Sequence, residues 1–184
     1  MKKLFVILLV LLFSSKMILG QASDHNEKFT DVQNSRPGLL NITELNVGFG
    51  LGDTNTDFAK RFVGITSVLG YGITRNLYGG IGVGLSFYNG GTLVPLYLDL
   101  RFNINFGKIS AYAFGDGGLL FSVSKSDNEN EILLNPGVGI KYPIGNNLSA
   151  NLGIGLLMQI TNESHDSFVN LKLGMTYIFN YKKN

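Results

Sequence analysis

Residues 93–105 read LVPLYLDLRFNIN. Val94, Leu96, Leu98, Leu100, Phe102 and Ile104 form an uninterrupted apolar row, while Tyr97, Asp99, Arg101, Asn103 and Asn105 fall between them. Side chains of a strand point alternately to its two faces, so this stretch is a strand with one greasy and one polar side. A carboxylate and a guanidinium two residues apart share the polar side.

The same alternation extends outward in both directions. Eight period-two segments are expected, at 40–52, 62–73, 77–88, 93–105, 109–124, 132–144, 148–160 and 168–180. Tight turns follow the second, fourth and sixth: Thr74-Arg75-Asn76, Phe106-Gly107-Lys108 and Gly145-Asn146-Asn147. They carry the Gly and Asn that accept positive φ. Longer polar loops are expected after the first, third, fifth and seventh: DTNTDFAKR, NGGT, KSDNENE and TNESHDS. An even strand number, with short turns at one end and longer loops at the other, predicts an all-β, eight-stranded antiparallel up-and-down transmembrane barrel.

A soluble barrel would share the alternation with its apolar face turned inward. The polar face separates the two readings. A face in water needs a dense cover of Lys and Glu. Here it holds mainly Gly, Asn, Ser and Thr, and 24 glycines are spread along the chain. Glycine weakens a strand but saves space, which suits a narrow lumen. The apolar face also carries aromatics near its strand ends: Phe49, Phe87 and Phe121 toward the loops, and Tyr71, Phe102, Tyr142, Tyr177 and Phe179 toward the turns. Two aromatic girdles mark a lipid-facing belt.

The polar face therefore points inward and carries Glu44, Asp99, Arg101, Asp116, Lys141 and Lys172. Three acids and three bases make a balanced set, and pairing is expected because an unpaired buried charge costs several kcal/mol. The fifth segment is the least regular. Placing Asp116 inside leaves Ala111, Ala113, Gly115 and Gly117 toward lipid, and a bulge near Gly115–Gly118 would change that facing.

The N-terminus supports export. Residues 1–20 place Lys2 and Lys3 before an apolar run from Leu4 to Phe13, which reads as a secretory signal peptide. Residues 21–37 are polar and aperiodic and read as a flexible periplasmic arm, with the barrel over 38–184. The signal holds three of the 15 basic residues and none of the 13 acidic ones, leaving twelve against thirteen. A mature net charge of −1 argues against a nucleic-acid partner. The absence of Cys excludes disulfides and thiolate metal sites.

Candidates for chemistry are few, and no catalytic residue, metal or cofactor is expected. Glu163-Ser164-His165-Asp166-Ser167 gathers acid, base and nucleophile types, but neighbouring loop residues rarely meet triad geometry. Asp53-Thr54-Asn55-Thr56-Asp57 imitates the start of a calcium loop, then offers Phe58 and Gly64 where Gly and Glu are needed. The Gly-x-Gly runs at 80–84 and 153–155 lie inside strands and are not phosphate loops.

GDGG at 115–118, NPGVGIKY at 135–142 and the closing FVNLKLGMTYIF at 168–179 resemble the small outer-membrane β-barrel proteins of the OmpA/OmpX type. The resemblance covers nearly everything after Arg36. It implies an outer-membrane location, contact with outer-membrane lipid and lipopolysaccharide, and insertion by the barrel assembly machinery. It is specific for architecture and weak for function: a non-enzymatic structural or surface-interaction role is expected, with a narrow channel or carrier for a small solute, using the lumen charges, as the alternative and a lipid-modifying hydrolase using His165 and Ser167 as a third reading. The chain departs from the family in ending Lys182-Lys183-Asn184 after its last aromatics, where many such barrels end on an aromatic residue.

Overall fold

The computed structural model describes residues 38–51, 60–123, 131–161 and 165–179. Residues 1–37, with the proposed signal and arm, lie outside them, as does the calcium-like segment at 53–57. All regular structure in the described residues is β-strand: β1 (Leu39–Gly50), β2 (Arg61–Gly72), β3 (Leu77–Tyr88), β4 (Gly91–Phe106), β5 (Ile109–Ser122), β6 (Glu131–Pro143), β7 (Leu148–Ile160) and β8 (His165–Ile178). Each strand pairs antiparallel with the next, and β1 pairs with β8 to close the barrel.

Closure shifts the register. A path across the ladders from Leu40 runs through Gly70, Gly80, Asp99, Asp116 and Asn135, crosses to Leu157 by continuing the β6–β7 register, and passes Phe168 to return to β1 at Gly50. That displacement of ten residues tilts the strands and sets the barrel's width. At eight strands the interior is only wide enough for side chains to fill it.

One detail differs from the sequence reading, and the bulge it allowed for is not formed. NGGT is not an extended loop: Tyr88 pairs with Gly91, leaving Asn89-Gly90 as a two-residue hairpin. Asn and Gly are both favoured turn residues. The fifth strand contains no bulge either. Its ladders to β4 and β6 keep register through Gly115–Gly118, so Asp116 faces in and Ala111, Ala113, Gly115 and Gly117 face out. Among the described residues the only breaks in ladder bonding flank Pro95, between β3 and β4, and Pro136, between β6 and β7. Proline has no N–H to donate, and the register resumes unchanged beyond each.

The turn between β4 and β5 uses Gly107 at φ +65°. Between β2 and β3, the Thr74 hydroxyl accepts the backbone N–H groups of Asn76 and Leu77 at 3.3 and 3.0 Å.

Burial is inverted relative to a soluble protein. Leu45, Leu98, Val138 and Leu173 are all more than half exposed, while Glu44 and Lys172 are 1% and 3% exposed. The apolar rows of all eight strands cover the outside. Such a continuous apolar surface is untenable in water and is matched by lipid, so this is a membrane-spanning barrel. Phe49, Phe87 and Phe121 lie on the outer face toward the loops, and Tyr71, Phe102, Tyr142, Tyr177 and Phe179 lie on it toward the turns. Tyr177 and Phe179 meet edge to face at 5.1 Å.

Leu98 sits midway between these two aromatic levels and is 66% exposed. Leu98→Arg is expected to cost about 2–4 kcal/mol, as a cation at the bilayer midplane does. Urea unfolding in lipid vesicles checks this, and an unchanged midpoint would contradict the facing.

Candidate functional site: a stratified lumen

Inward-facing side chains fall into layers along the barrel axis. The central layer is ionic. Arg101, on β4, donates from Nη1 to Glu44 Oε1 at 2.9 Å and from Nη2 to Glu44 Oε2 at 3.1 Å, a two-pronged contact across the lumen to β1. Its Nε and Nη2 also donate to the Asp99 carboxylate at 2.8–3.0 Å. Asp99 is two residues back on the same strand, so it shares Arg101's face. The adjacent carboxylate thus orients the guanidinium toward Glu44.

Lys172, on β8, donates to Asp116 Oδ2 at 2.6 Å and to Glu44 Oε2 at 3.3 Å. Asn135 Nδ2 adds a bond to Asp116 Oδ2 at 2.8 Å. Aromatic faces cover the cations. Lys172 Nζ lies 4.5 Å from the Phe114 ring centre, and Arg101 lies over Tyr112 and Phe114 at 5.5 and 5.8 Å. Ring faces are negative, so they attract these desolvated cations.

Five of the six candidate charges thus meet in one network. Lys141 does not join it. It lies at the turn end of β6, paired in register with Ser110 and Asn151, and its ammonium stands 5.3 Å from the Tyr78 ring centre. No carboxylate reaches it among the described residues.

Above the ions, toward the loops, lies a polar layer containing Asn46, Thr66, Tyr97, Asn135 and Asn170, all buried. Asn46 Nδ2 donates to Thr66 Oγ1 at 3.0 Å. Above that sits an apolar plug that the sequence reading missed: Phe62, Tyr88, Leu93, Leu120, Leu133, Leu157 and Phe168. Phe62 contacts Tyr88 and Phe168 at 5.1 and 5.5 Å between ring centres, and Phe168 is fully buried. Gln159 Nε2 donates to the Tyr88 hydroxyl inside it. The signal was available: these residues share strand parity with Gly64, Ser86 and Asn170, so they had to face inward. A search for polar residues on that face passes over them.

The inward glycines make room for rings. A Cβ on Gly48 would overlap the Phe62 ring, and one on Gly82 would overlap that of Tyr97. The Phe114 ring similarly fills the space over Gly137, and Tyr112 that over Gly139. Glycine on one strand and an aromatic on another together keep the lumen filled.

The catalytic-type cluster is split by the strand. β8 begins at His165, so His165 and Ser167 point outward while Asp166 points inward. The acid therefore cannot orient the histidine in the manner of a triad. Glu163 and Ser164 lie outside the described residues, as do residues 125–130 of the acidic loop. Among the described residues no group of acids and histidines is arranged to hold a metal ion.

No protein-family model and no curated protein matches this chain. Solved structures do. Neisserial surface protein A aligns with a TM-score of 0.58 at 11% identity, covering 77% of this chain and 97% of that one. A de novo designed transmembrane β-barrel aligns at 0.51 with 17% identity, covering 79% and 99%. The backbone likeness runs nearly end to end in those barrels while the side chains differ almost throughout. The chain therefore has the fold of the small eight-stranded outer-membrane β-barrels.

Proposed function

We propose that the protein is a non-enzymatic barrel of a bacterial outer membrane, with a structural or surface-interaction role and a lumen closed to solutes. The observation that carries this reading is the stacked blockade: an ion network spans the lumen from β1 to β4, β5 and β8, and an aromatic plug fills the space above it. Its lipid-facing belt would lie against the membrane's acyl chains and lipopolysaccharide, with insertion by the barrel assembly machinery. The signal-like residues 1–20 fit export across the inner membrane, and the short turns then face the periplasm.

Planar bilayers test the closed lumen. The refolded chain is expected to give no steady conductance. Sustained openings in the nanosiemens range would replace this reading with the narrow channel, and Phe168→Ala would then enlarge them. A lipid-modifying activity would show as a mass change in lipid A that depends on His165 and Ser167; none is expected.

A further inference from the structure

The hydrogen bonds of the ion network treat its three acids unequally. Arg101 donates to both oxygens of Glu44 and to both oxygens of Asp99, and Lys172 adds a bond to Glu44 Oε2. Those four oxygens all accept, as the oxygens of an ionised carboxylate do. Asp116 differs. Its Oδ2 accepts from Lys172 and Asn135, whereas its Oδ1 is buried and receives no donor among the described residues.

The neighbour of Asp116 is itself an acid. Asp99 and Asp116 stand directly opposite each other in the β4–β5 ladder, both are buried in the lumen, and their carboxyl groups are within hydrogen-bonding reach. Two ionised carboxylates so placed repel, and neither has a hydrogen to offer the other. A proton between them turns the repulsion into a hydrogen bond. The charge count agrees. The other ionisable groups around the pair are Arg101 on β4, Glu44 on β1 and Lys172 on β8, with the Tyr97 phenol further along β4. Three ionised acids against these two cations would leave a net negative charge where desolvation is costly.

We infer that Asp99 and Asp116 form a proton-binding site, in which Asp116 carries a proton on Oδ1 and donates it to the Asp99 carboxylate. The proton comes from water as the barrel closes, and one O–H bond forms. Two negative and two positive charges then remain in the network, which is neutral. A proton needs no cavity, so the site is compatible with a lumen filled by side chains. The Lys172 bond survives, because the carbonyl oxygen of a neutral acid still accepts. The inference goes beyond the closed-lumen reading and does not rest on it.

Infrared spectroscopy of the refolded full chain, in lipid vesicles in heavy water at neutral pH, tests it. The carbonyl stretch of a protonated carboxyl lies above the amide band and apart from that of ionised carboxylates. The wild-type chain is expected to show such a band, with the intensity of a single carboxyl. Asp116→Asn and Asp99→Asn should each abolish it. Asp166→Asn, which removes an inward-facing acid at the loop end, should keep it. Unfolding the wild-type chain in urea should also abolish it, a comparison that holds even where a variant fails to refold. A wild-type chain without the band would overturn the proposal. So would a band that survives both Asp99→Asn and Asp116→Asn, is lost in Asp166→Asn, or persists in the unfolded chain. Conductance in planar bilayers would leave this result untouched, and a missing band would leave the closed lumen standing.

Discussion

Arg101→Met should lower the unfolding free energy by about 3–5 kcal/mol, the loss typical when one partner of a buried ion pair is removed. Arg101 supplies both prongs to Glu44 and every hydrogen bond to Asp99 that the described side chains provide. Without it Asp99, 3% exposed, keeps its charge cost and loses every hydrogen bond that the described side chains give it, while Glu44, 1% exposed, is left with Lys172 alone at 3.3 Å. The damage should come from the stranded acids, not from the missing attraction. The triple variant Glu44→Gln, Asp99→Asn, Arg101→Met is therefore expected to recover most of the loss, leaving Lys172 with Asp116. Urea titrations in lipid vesicles measure both. A triple variant no better than the single one would refute the account. Because the pair is out of reach of solvent ions, the single-variant loss should barely change between low and high salt.

Gly118→Leu should be about as harmful, while Gly115→Leu, three residues away on the same strand, should be neutral or mildly stabilising. A Cβ on Gly118 would run into the Leu96 carbonyl oxygen and the Tyr97 Cα, both backbone atoms that cannot step aside. Overpacking of this kind costs about 1–3 kcal/mol and more when backbone must move. Gly115 faces the other way, and nothing lies within 4 Å of an added Cβ. There a leucine would add apolar surface to the lipid belt and relieve a glycine's strand penalty. The refolded fraction by gel mobility, followed by denaturant midpoints, separates the two. Equal effects at both positions would mean that the facing of β5 is wrong.

Much of the architecture could be read from alternation. The expected segments match the eight strands to within about three residues, and both facing sets hold wherever the strands are described. The largest boundary errors have local causes. The alternation starts β4 two residues late because Gly91 and Thr92 look like loop residues, although Asn89-Gly90 alone makes the turn. The alternation starts β8 three residues late because His165, Asp166 and Ser167 are polar, yet they pair with Ile160, Gln159 and Met158. Polarity near the water interface does not oppose strand pairing, so it is a poor marker of where a membrane strand ends.

The lumen was legible by membership but not by partnership. Glu44, Asp99, Arg101, Asp116 and Lys172 could be placed inside one at a time, since facing depends only on odd or even position along a strand. Which of them touch depends on distances across a closed sheet. Glu44 and Lys172 are 128 residues apart in the chain and meet only because β1 pairs with β8 at a specific register. The same ten-residue shift puts Lys141 below the network, beside the Tyr78 ring, although its parity is that of the other five.

The chain alone thus decided that the barrel has eight strands, that its apolar side faces outward, and which side chains enter the lumen, because these follow from a two-residue period and from turn chemistry, both local properties. Only the closed tertiary structure decided that Arg101 bridges Asp99 to Glu44, that Phe62, Tyr88 and Phe168 seal the loop end, and that Lys141 stands apart from the network. Those outcomes are set by strand tilt and shear, which no single segment encodes.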